Sequence, residues 1–557
     1  MRQRRADRAG LVAVVVVTAL AAVLVLDRTS RLGFYNDEWY TILHRRSLGS
    51  GLFSATNGHL TLVPTALYQV LFAVFGLESY LPFRILLVCV QVGFGPLIFL
   101  YLRPRIGNLG AAVAAAALLY LGAAWEDLLW PQQLVFYLPL ITTTATLLLV
   151  DRHRLGADVG ATVCMLIGTA SSAVGVPITI ALTLELVRRG AFRRLWVPLV
   201  PLVLWILWYL GNGDAGSQGG GTAGGLGQVP RFVLRIAGNG GGALVGSGID
   251  LGRVIVVGVF VAAVGVMVVR RTVPPRLVTV LTMPAIYWAS VAWSRPMFDG
   301  VAATFSRYIL PSAFFLVLLV AETLSELALP VRARAILAVS ALVLFSAHSL
   351  AWNLDRLDEG ETFLRTLSRN VHVRVGALEL VRADLRDRSY LVQPDPFFTS
   401  FTAGEYLDAV DDLGSPAPSV DDLRRAERSD QRVANQVLLD VLGPELTPAP
   451  DLRPGRAEVA GEGVRVESTG PCTRVIPLRP GAHVTASGDQ MDLDIVPLGT
   501  SFTVVGLDAF ADGDADAQLG IVNAGAPMRL HLPPVAKVGP WTARFAPSGP
   551  VDLCGTT

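Results

Sequence analysis

Eleven apolar stretches punctuated by arginine clusters constrain this chain more than any other feature. They run over residues 10–26, 80–102, 108–124, 132–150, 157–172, 174–187, 195–210, 252–269, 275–293, 307–327 and 335–352. Most approach the length of about 17–25 residues that carries an α-helix through a bilayer core. The intervening arginines fix how such helices alternate. Arg103 and Arg105, Arg152 and Arg154, Arg188 to Arg194, Arg270 to Arg276, and Arg332 with Arg334 all fall on one side. Arg2, Arg4, Arg5 and Arg8 precede the first stretch. The positive-inside rule then holds the N-terminus in the cytoplasm with every later cluster, and eleven crossings put the C-terminus outside. The expectation is a multi-pass protein of the cell membrane.

Composition agrees. Of 557 residues, 52% are hydrophobic and 16% charged, with a mean hydropathy of +0.51, which places the chain among polytopic membrane proteins. A net charge of +1 gives no reason to expect a nucleic-acid partner. The first stretch lacks a small-residue cleavage site before Asp27-Arg28, so it reads as a retained anchor. Residues 60–76 are apolar enough to span, but counting them would invert every later arginine cluster. They are read as a juxtamembrane helix in the outer interface. The short stretches 157–172 and 174–187 meet at Ser171 to Pro177, either as interrupted helices lining a cavity or as a tight hairpin. The Gly-rich segment 211–227 reads as a flexible external loop.

Beyond Trp352 the chain becomes soluble in character. Residues 353–388 carry helical periodicity, Ser389 to Val392 a short strand, and 419–442 a charged helix. Strands at Gly463–Glu467, Thr473–Leu478, Ser501–Leu507, Leu519–Val522 and Met528–Leu532, separated by Gly, Pro and Asp turns, predict a small β-sandwich. Three regions follow: a helical membrane domain, 1–352, with an external loop at 27–79; an extracytoplasmic α/β connector, 353–450; and an extracytoplasmic β-rich domain, 451–557. Cys89 and Cys164 fall in apolar stretches as buried thiols. Cys472 and Cys554 bracket the β-domain outside the cell, where disulfides persist, and are expected to pair.

Asn36-Asp37-Glu38-Trp39-Tyr40 lies about ten residues past the first stretch, on the outer face. A carboxylate beside a bilayer costs desolvation energy and needs a partner or a task. Asp37 is the candidate general base, with Glu38 as its orienting or metal partner. The alternative is a hydrated helix end with Trp39 and Tyr40 in an interfacial aromatic belt. Asn57-Gly58-His59 follows, where His59 either donates to a ligand or caps the next helix. Trp125-Glu126-Asp127 shares the same face. Four carboxylates there could hold a divalent cation (magnesium, manganese or calcium), which prefers oxygen ligands; hydration of the loop is the other reading of Glu126. Arg295 and Arg307, followed by Tyr308, match a lipid phosphate bidentately or snorkel to headgroups; Arg84 is a further candidate of this kind. There is no Walker loop, zinc spacing, nucleophile elbow or dinucleotide fingerprint.

In these residues the first third of the chain, roughly 10–150, resembles the GT-C superfamily of membrane glycosyltransferases, which includes protein O-mannosyltransferases, aminoarabinose transferases of lipid A and actinobacterial arabinofuranosyltransferases. The shared plan is a first helix, an external loop with an acidic pair (Asp37-Glu38), a stretch His59-Leu60-Thr61-Leu62-Val63-Pro64, a Phe75-Gly76 turn, and an arginine opening the second helix (Arg84). The His-Pro-Pro found in some branches reads His59-Leu60-Thr61 here. The resemblance implies an inverting glycosyltransferase that moves a sugar from a polyprenyl-phosphate donor to a cell-envelope glycan, lipid or protein, with Asp37 as base. Donor phosphate would fall to Arg307, Arg295 and Arg84. Asn57, His59, Glu126, Asp127 and Tyr308 would line the acceptor or metal site. Two other readings stay open: a transporter or flippase for a lipid-linked glycan, and a membrane anchor whose β-domain binds cell-wall glycan.

Overall fold

A computed structural model describes residues 2–212, 229–294, 305–327, 340, 348–394, 399–488, 491–510, 516–532 and 540–556. Two compact units emerge. The first comprises residues 1–32, 44–75 and 80–365; the second comprises 33–43, 76–79 and 366–557.

The first unit is helical: α1 (Arg2–Arg28), the end of α2 (Asp37–Arg45), α3 (Leu62–Phe75), α4 (Leu81–Leu119), α5 (Trp125–Leu129), α6 (Leu134–Val150), α7 (Leu155–Thr169), α8 (Val176–Arg188), α9 (Trp196–Asn212), α10 (Val229–Leu244), α11 (Ile249–Arg270), α12 (Pro275–Ser294) and α13 (Ile309–Glu326). Among the described residues six segments are long and apolar enough to cross a membrane: Gly10–Arg28, Leu81–Leu129, Pro131–Val150, Ile249–Arg270, Pro275–Ser294 and Ser306–Glu326. The stretches expected at 80–102 and 108–124 are two arms of α4, broken at Gly107, whose φ of 79° and ψ of 168° leave the helix. A left-handed φ is cheap only for glycine. Helices α3, α7 and α9 are apolar but shorter. The stretch 335–352 lies mostly outside the described residues, and so do the loop 213–228, Arg332 and Arg334.

The sequence reading missed α10. Its four glycines, Gly238, Gly240, Gly241 and Gly242, argue against a helix on propensity alone. Packing reverses that: a Cβ on Gly241 would sit 2.9 Å from the Gly252 carbonyl of α11, and one on Gly240 2.5 Å from Ser312 Cβ of α13. Small residues let helix backbones approach closely where no larger side chain would fit.

The arginine clusters are paired as well as gathered. Arg276 donates to Asp151 at 2.5 Å and to Glu185 at 3.0–3.2 Å. Glu185, fully buried, also takes Arg189 at 2.6 Å and the Thr279 hydroxyl. Arg105 pairs with Glu322, which also accepts from Tyr101. Arg194 pairs with Asp158, and Arg270 with Glu326 at 2.6 Å. The helix ends carrying these groups therefore meet at one end of the bundle, as the alternation of apolar runs and arginines requires.

In the second unit, α14 (Leu350–Leu380, whose first turns belong to the first unit) leads to α15 (Ala403–Leu413), α16 (Val420–Arg424) and α17 (Arg428–Leu442). The single charged helix expected at 419–442 is thus two. A capping box of Ser419 and Asp422 starts α16, and Gly443 at φ 60° ends α17, both standard stop and start devices. The β-sandwich is present and larger than the sequence pattern indicated. Its strands are β3 (Leu446–Pro448), β4 (Ala460–Glu462), β5 (Val464–Thr469), β6 (Cys472–Pro477), β7 (His483–Gly488), β8 (Met491–Pro497), β9 (Phe502–Asp508), β10 (Ala517–Asn523), β11 (Met528–Leu532), β12 (Trp541–Pro547) and β13 (Val551–Thr556), numbered after the loop hairpin β1–β2 described below. One sheet runs β10-β9-β12-β7-β4 and the other β3-β11-β8-β13-β6-β5, with every pairing antiparallel. Trp541 and Phe545 fill the core and Phe510 is buried, whereas Phe502 is exposed. Helix α17 docks through Asn435, which donates to Asp508 at 2.8 Å and accepts from the Ala509 amide at 2.9 Å.

Cys472 and Cys554 form the expected disulfide, with Cα atoms 4.4 Å apart. Strands β6 and β13 are neighbours, so the bond links the last strand to an early one. Beside it Arg474 grips Asp552 at 2.7 and 2.8 Å.

Asp494 on β8 has no exposed surface. Burial disfavours its charge, but Arg529 at 2.6 and 3.0 Å and the Arg453 amide at 2.7 Å outweigh it and hold the carboxyl below its ordinary range. A depressed carboxylate contributes stability at neutral pH that is lost as pH falls through the folded-state value. Acid unfolding of the sandwich, followed by amide hydrogen exchange of strands β8 and β11, should therefore begin only below the usual carboxylate value of about 4. Arg529→Met should move that transition to higher pH.

Candidate active site

The acidic pair stands at the first turn of α2. Asn36 adopts φ 45°, a left-handed conformation that asparagine tolerates better than most residues. Glu38 then folds back: its Oε2 accepts the Tyr35 amide at 3.0 Å while its own amide donates to the Tyr35 carbonyl at 3.1 Å. Glu38 is fully buried and Asp37 only half-buried. The two neighbours therefore differ in kind. Glu38 closes the turn, and Asp37 stands at a helix N-terminus, where amides and the helix dipole favour an anion.

Trp39 does not sit in an aromatic belt. It is 2% exposed, stacks on Phe401 at 5.0 Å and meets Tyr406 at 5.7 Å, and its indole donates to the Phe34 carbonyl at 3.2 Å. Asn36 Oδ1 accepts the Thr399 amide at 3.0 Å. The acidic turn is thus part of the second unit's core, which no local pattern in the sequence reveals.

Residues 44–75 of the external loop fold in the first unit. Asn57 and Gly58, at φ 50° and 79°, make the tight turn between β1 (Ala55–Thr56) and β2 (His59–Leu60). Asn-Gly is the strongest short-range signal for such a hairpin, and it was legible in the sequence. Asn57 is an exposed turn residue, and His59 is half-buried opposite Thr56. His59 therefore belongs to a strand, while the helix after it starts at Leu62. Trp208 of α9 donates to the Phe53 carbonyl at 2.7 Å, and the Val63 amide to the Ala170 carbonyl at 3.1 Å. Two residues missed from sequence organise this loop. Buried Arg45 reaches Thr61 and the carbonyls of Ser54 and Ala55, and Gln69 spans Arg45, Gly49 and Ser50. An isolated glutamine on apolar α3 was the available signal.

Glu126 and Arg307 form one clamp. Glu126, 6% exposed, accepts Arg307 Nε at 3.1 Å, Nη2 at 2.6 Å and the backbone amide at 3.0 Å, plus the Ser306 hydroxyl at 2.6 Å. The guanidinium also lies 5.8 Å from the Trp130 ring. Glu126 is accordingly a buried ion-pair partner that fixes the start of α13, and loop hydration is not its role. Tyr308, buried, closes the same turn. Asp127 has no exposed surface. Arg84 donates to the Thr29 hydroxyl at 2.9 Å and to the Leu26 carbonyl, so it caps the C-terminus of α1, where a cation is favoured. Arg295 lies outside the described residues. Among the described residues no group of three or more His, Cys, Asp or Glu side chains could hold a metal ion.

No family model and no curated protein matches the chain. Among solved structures, the cryo-EM structure of arabinosyltransferase EmbB from Mycobacterium smegmatis aligns with 99% of the chain at 11% identity and a TM-score of 0.33. The chain spans 64% of that protein's length.

Breaking a buried ion pair by removing one partner typically costs roughly 3–5 kcal/mol. Glu126→Ala should therefore lower the thermal midpoint of the purified protein in detergent far more than Asn57→Ala, which alters only an exposed turn.

Proposed function

We propose that the protein is an inverting glycosyltransferase of the membrane, taking a sugar from a polyprenyl-phosphate donor to a cell-envelope glycan, lipid or protein. Asp37 is the general base that deprotonates the acceptor hydroxyl. The observation that carries this reading is the asymmetry of the acidic turn. A left-handed Asn36 and an inward Glu38 present one half-buried carboxylate, Asp37, at a helix N-terminus. Unfavourable backbone conformations persist where surrounding structure over-determines them, and they cluster at functional sites. Glu38 is then a positioning residue.

The resemblance of residues 10–150 to the GT-C plan supports the donor class. His59 and Asp127 are assigned to the acceptor side, and Arg295 with Arg307 to the donor phosphate. For Arg307 this requires exchange of the Glu126 carboxylate for phosphate, an anion with matching bidentate geometry.

One observation favours the glycan-binding anchor as a second reading. The β-sandwich carries a cavity of about 480 Å³ lined by Glu467, Arg474, Thr500, Ser501 and Ser548. Ser548 of that lining accepts the Phe502 backbone amide at 2.8 Å. Hydroxyls beside charged groups suit a sugar.

Transfer from radiolabelled polyprenyl-phosphate sugars to cell-wall acceptors separates the readings. General-base assistance is worth roughly 10²–10⁴-fold, and Asp37→Asn should lose that much at equal protein level. Glu38→Gln keeps an oxygen for the Tyr35 amide and should retain most activity, whereas Glu38→Ala should lose it. Equal transfer by Asp37→Asn and wild type would remove Asp37 as base.

A further inference from the structure

Loops 151–154 and 189–195, which join α6 to α7 and α8 to α9, are held together by one side chain. Arg194 donates to the Asp158 carboxylate at 3.0 Å, to the Val150 carbonyl at 2.9 Å and to His153 Nδ1 at 3.0 Å. The Thr162 hydroxyl of α7 adds a bond to the Val197 carbonyl of α9 at 3.3 Å. The two loops therefore form one surface, and Arg194 is consumed in building it.

Charge on that surface is not balanced. Asp158 is taken by Arg194, Asp151 by Arg276 at 2.5 Å, and Arg189 by Glu185 at 2.6 Å. Arg152, Arg154 and Arg193 are exposed, and among the described residues none of the three has an ion-pair or hydrogen-bond partner. Apolar side chains stand among them: Leu155 is 74% exposed and Phe192 63%. From this level onward the exposed faces of three helices are apolar, with Val159 and Val163 on α7, Leu184 and Val187 on α8, and Val200 and Val203 on α9. Such faces suit acyl chains and are costly in water. The arginines stand where those faces end, which is the level of lipid headgroups.

We propose that Arg152, Arg154 and Arg193 form a binding surface for anionic phospholipid headgroups, with Leu155 and Phe192 set into the adjoining acyl region. A guanidinium matches phosphate geometry, and anionic lipids draw basic surfaces that lie beside a bilayer. A zwitterionic headgroup brings no net charge to offset the three arginines, whereas an anionic one does. Asp151 of the same surface also meets Arg105, at 3.8 Å. Arg84 lies at the other end of that arm of α4, roughly 30 Å away at 1.5 Å per residue. The surface is therefore separate from the residues assigned to donor phosphate, and the inference is independent of the sugar-transfer reading.

The test uses the purified full-length protein in phosphatidylcholine vesicles, with spin-labelled phosphatidylglycerol or phosphatidylcholine as a trace probe. The motionally restricted fraction of each probe measures its association with the protein. Phosphatidylglycerol should associate severalfold more strongly than phosphatidylcholine, and high salt should narrow the difference. Each of Arg152→Gln, Arg154→Gln and Arg193→Gln should lower the preference, and the three together should remove most of it. The thermal midpoint in detergent should not move, because these side chains are exposed and hold no partner. Lysine at the same three positions keeps the charge and should restore most of the preference. Equal association of the two probes with the wild type would overturn the proposal, and so would a preference that the triple glutamine variant keeps.

Discussion

The stacking of Trp39 on Phe401, with Tyr406 behind, is the contact on which the proposed chemistry depends. An acidic pair in a loop has no reason to hold one conformation, because a loop's polar backbone competes with water at every step. Here an indole removed from solvent anchors the turn, and Asn36 adds a bond to the Thr399 amide. Large buried aromatics contribute more per side chain than any other group. That contribution offsets a left-handed asparagine and the burial of Glu38. The acidic turn is therefore a product of the C-terminal unit as much as of the loop that carries it in sequence.

The two carboxylates illustrate how adjacent residues of like chemistry are separated in function. Glu38 spends its charge on a backbone amide three residues away, and Asp37 keeps a half-buried position at the helix start. Glu126 and Asp127 repeat the pattern in the other unit. Glu126 is saturated by four donors from Ser306 and Arg307, while Asp127 is buried without sharing them.

Much of the helical unit was legible because its determinants are local or periodic. Apolar run length and arginine position gave the alternation, and the ion pairs among Arg105, Asp151, Glu185, Arg276 and Glu322 gather those helix ends together. Helix α10 escaped because its glycines are readable only once α11 and α13 are beside them. The β1–β2 hairpin was announced by Asn57-Gly58 and overlooked. Arg84 and Arg307 stood out as candidate phosphate ligands, but their partners, the end of α1 and Glu126, depend on tertiary placement. The aromatic-belt alternative for Trp39 fails because exposure is not a property of sequence position. The strands ending at Gly488, Pro497 and Pro547 were missed where turns were less distinct than those flanking Met528–Leu532.

The most direct measurement is sugar transfer by Phe401→Leu, a substitution far from Asp37 in sequence that removes only the ring under Trp39. Formation of the Cys472–Cys554 disulfide reports that the C-terminal unit has folded. The account predicts transfer reduced nearly as far as in Asp37→Asn, with the disulfide intact. Wild-type transfer by Phe401→Leu, in an assay where Asp37→Asn is inactive, would contradict it and return the acidic turn to the loop alone.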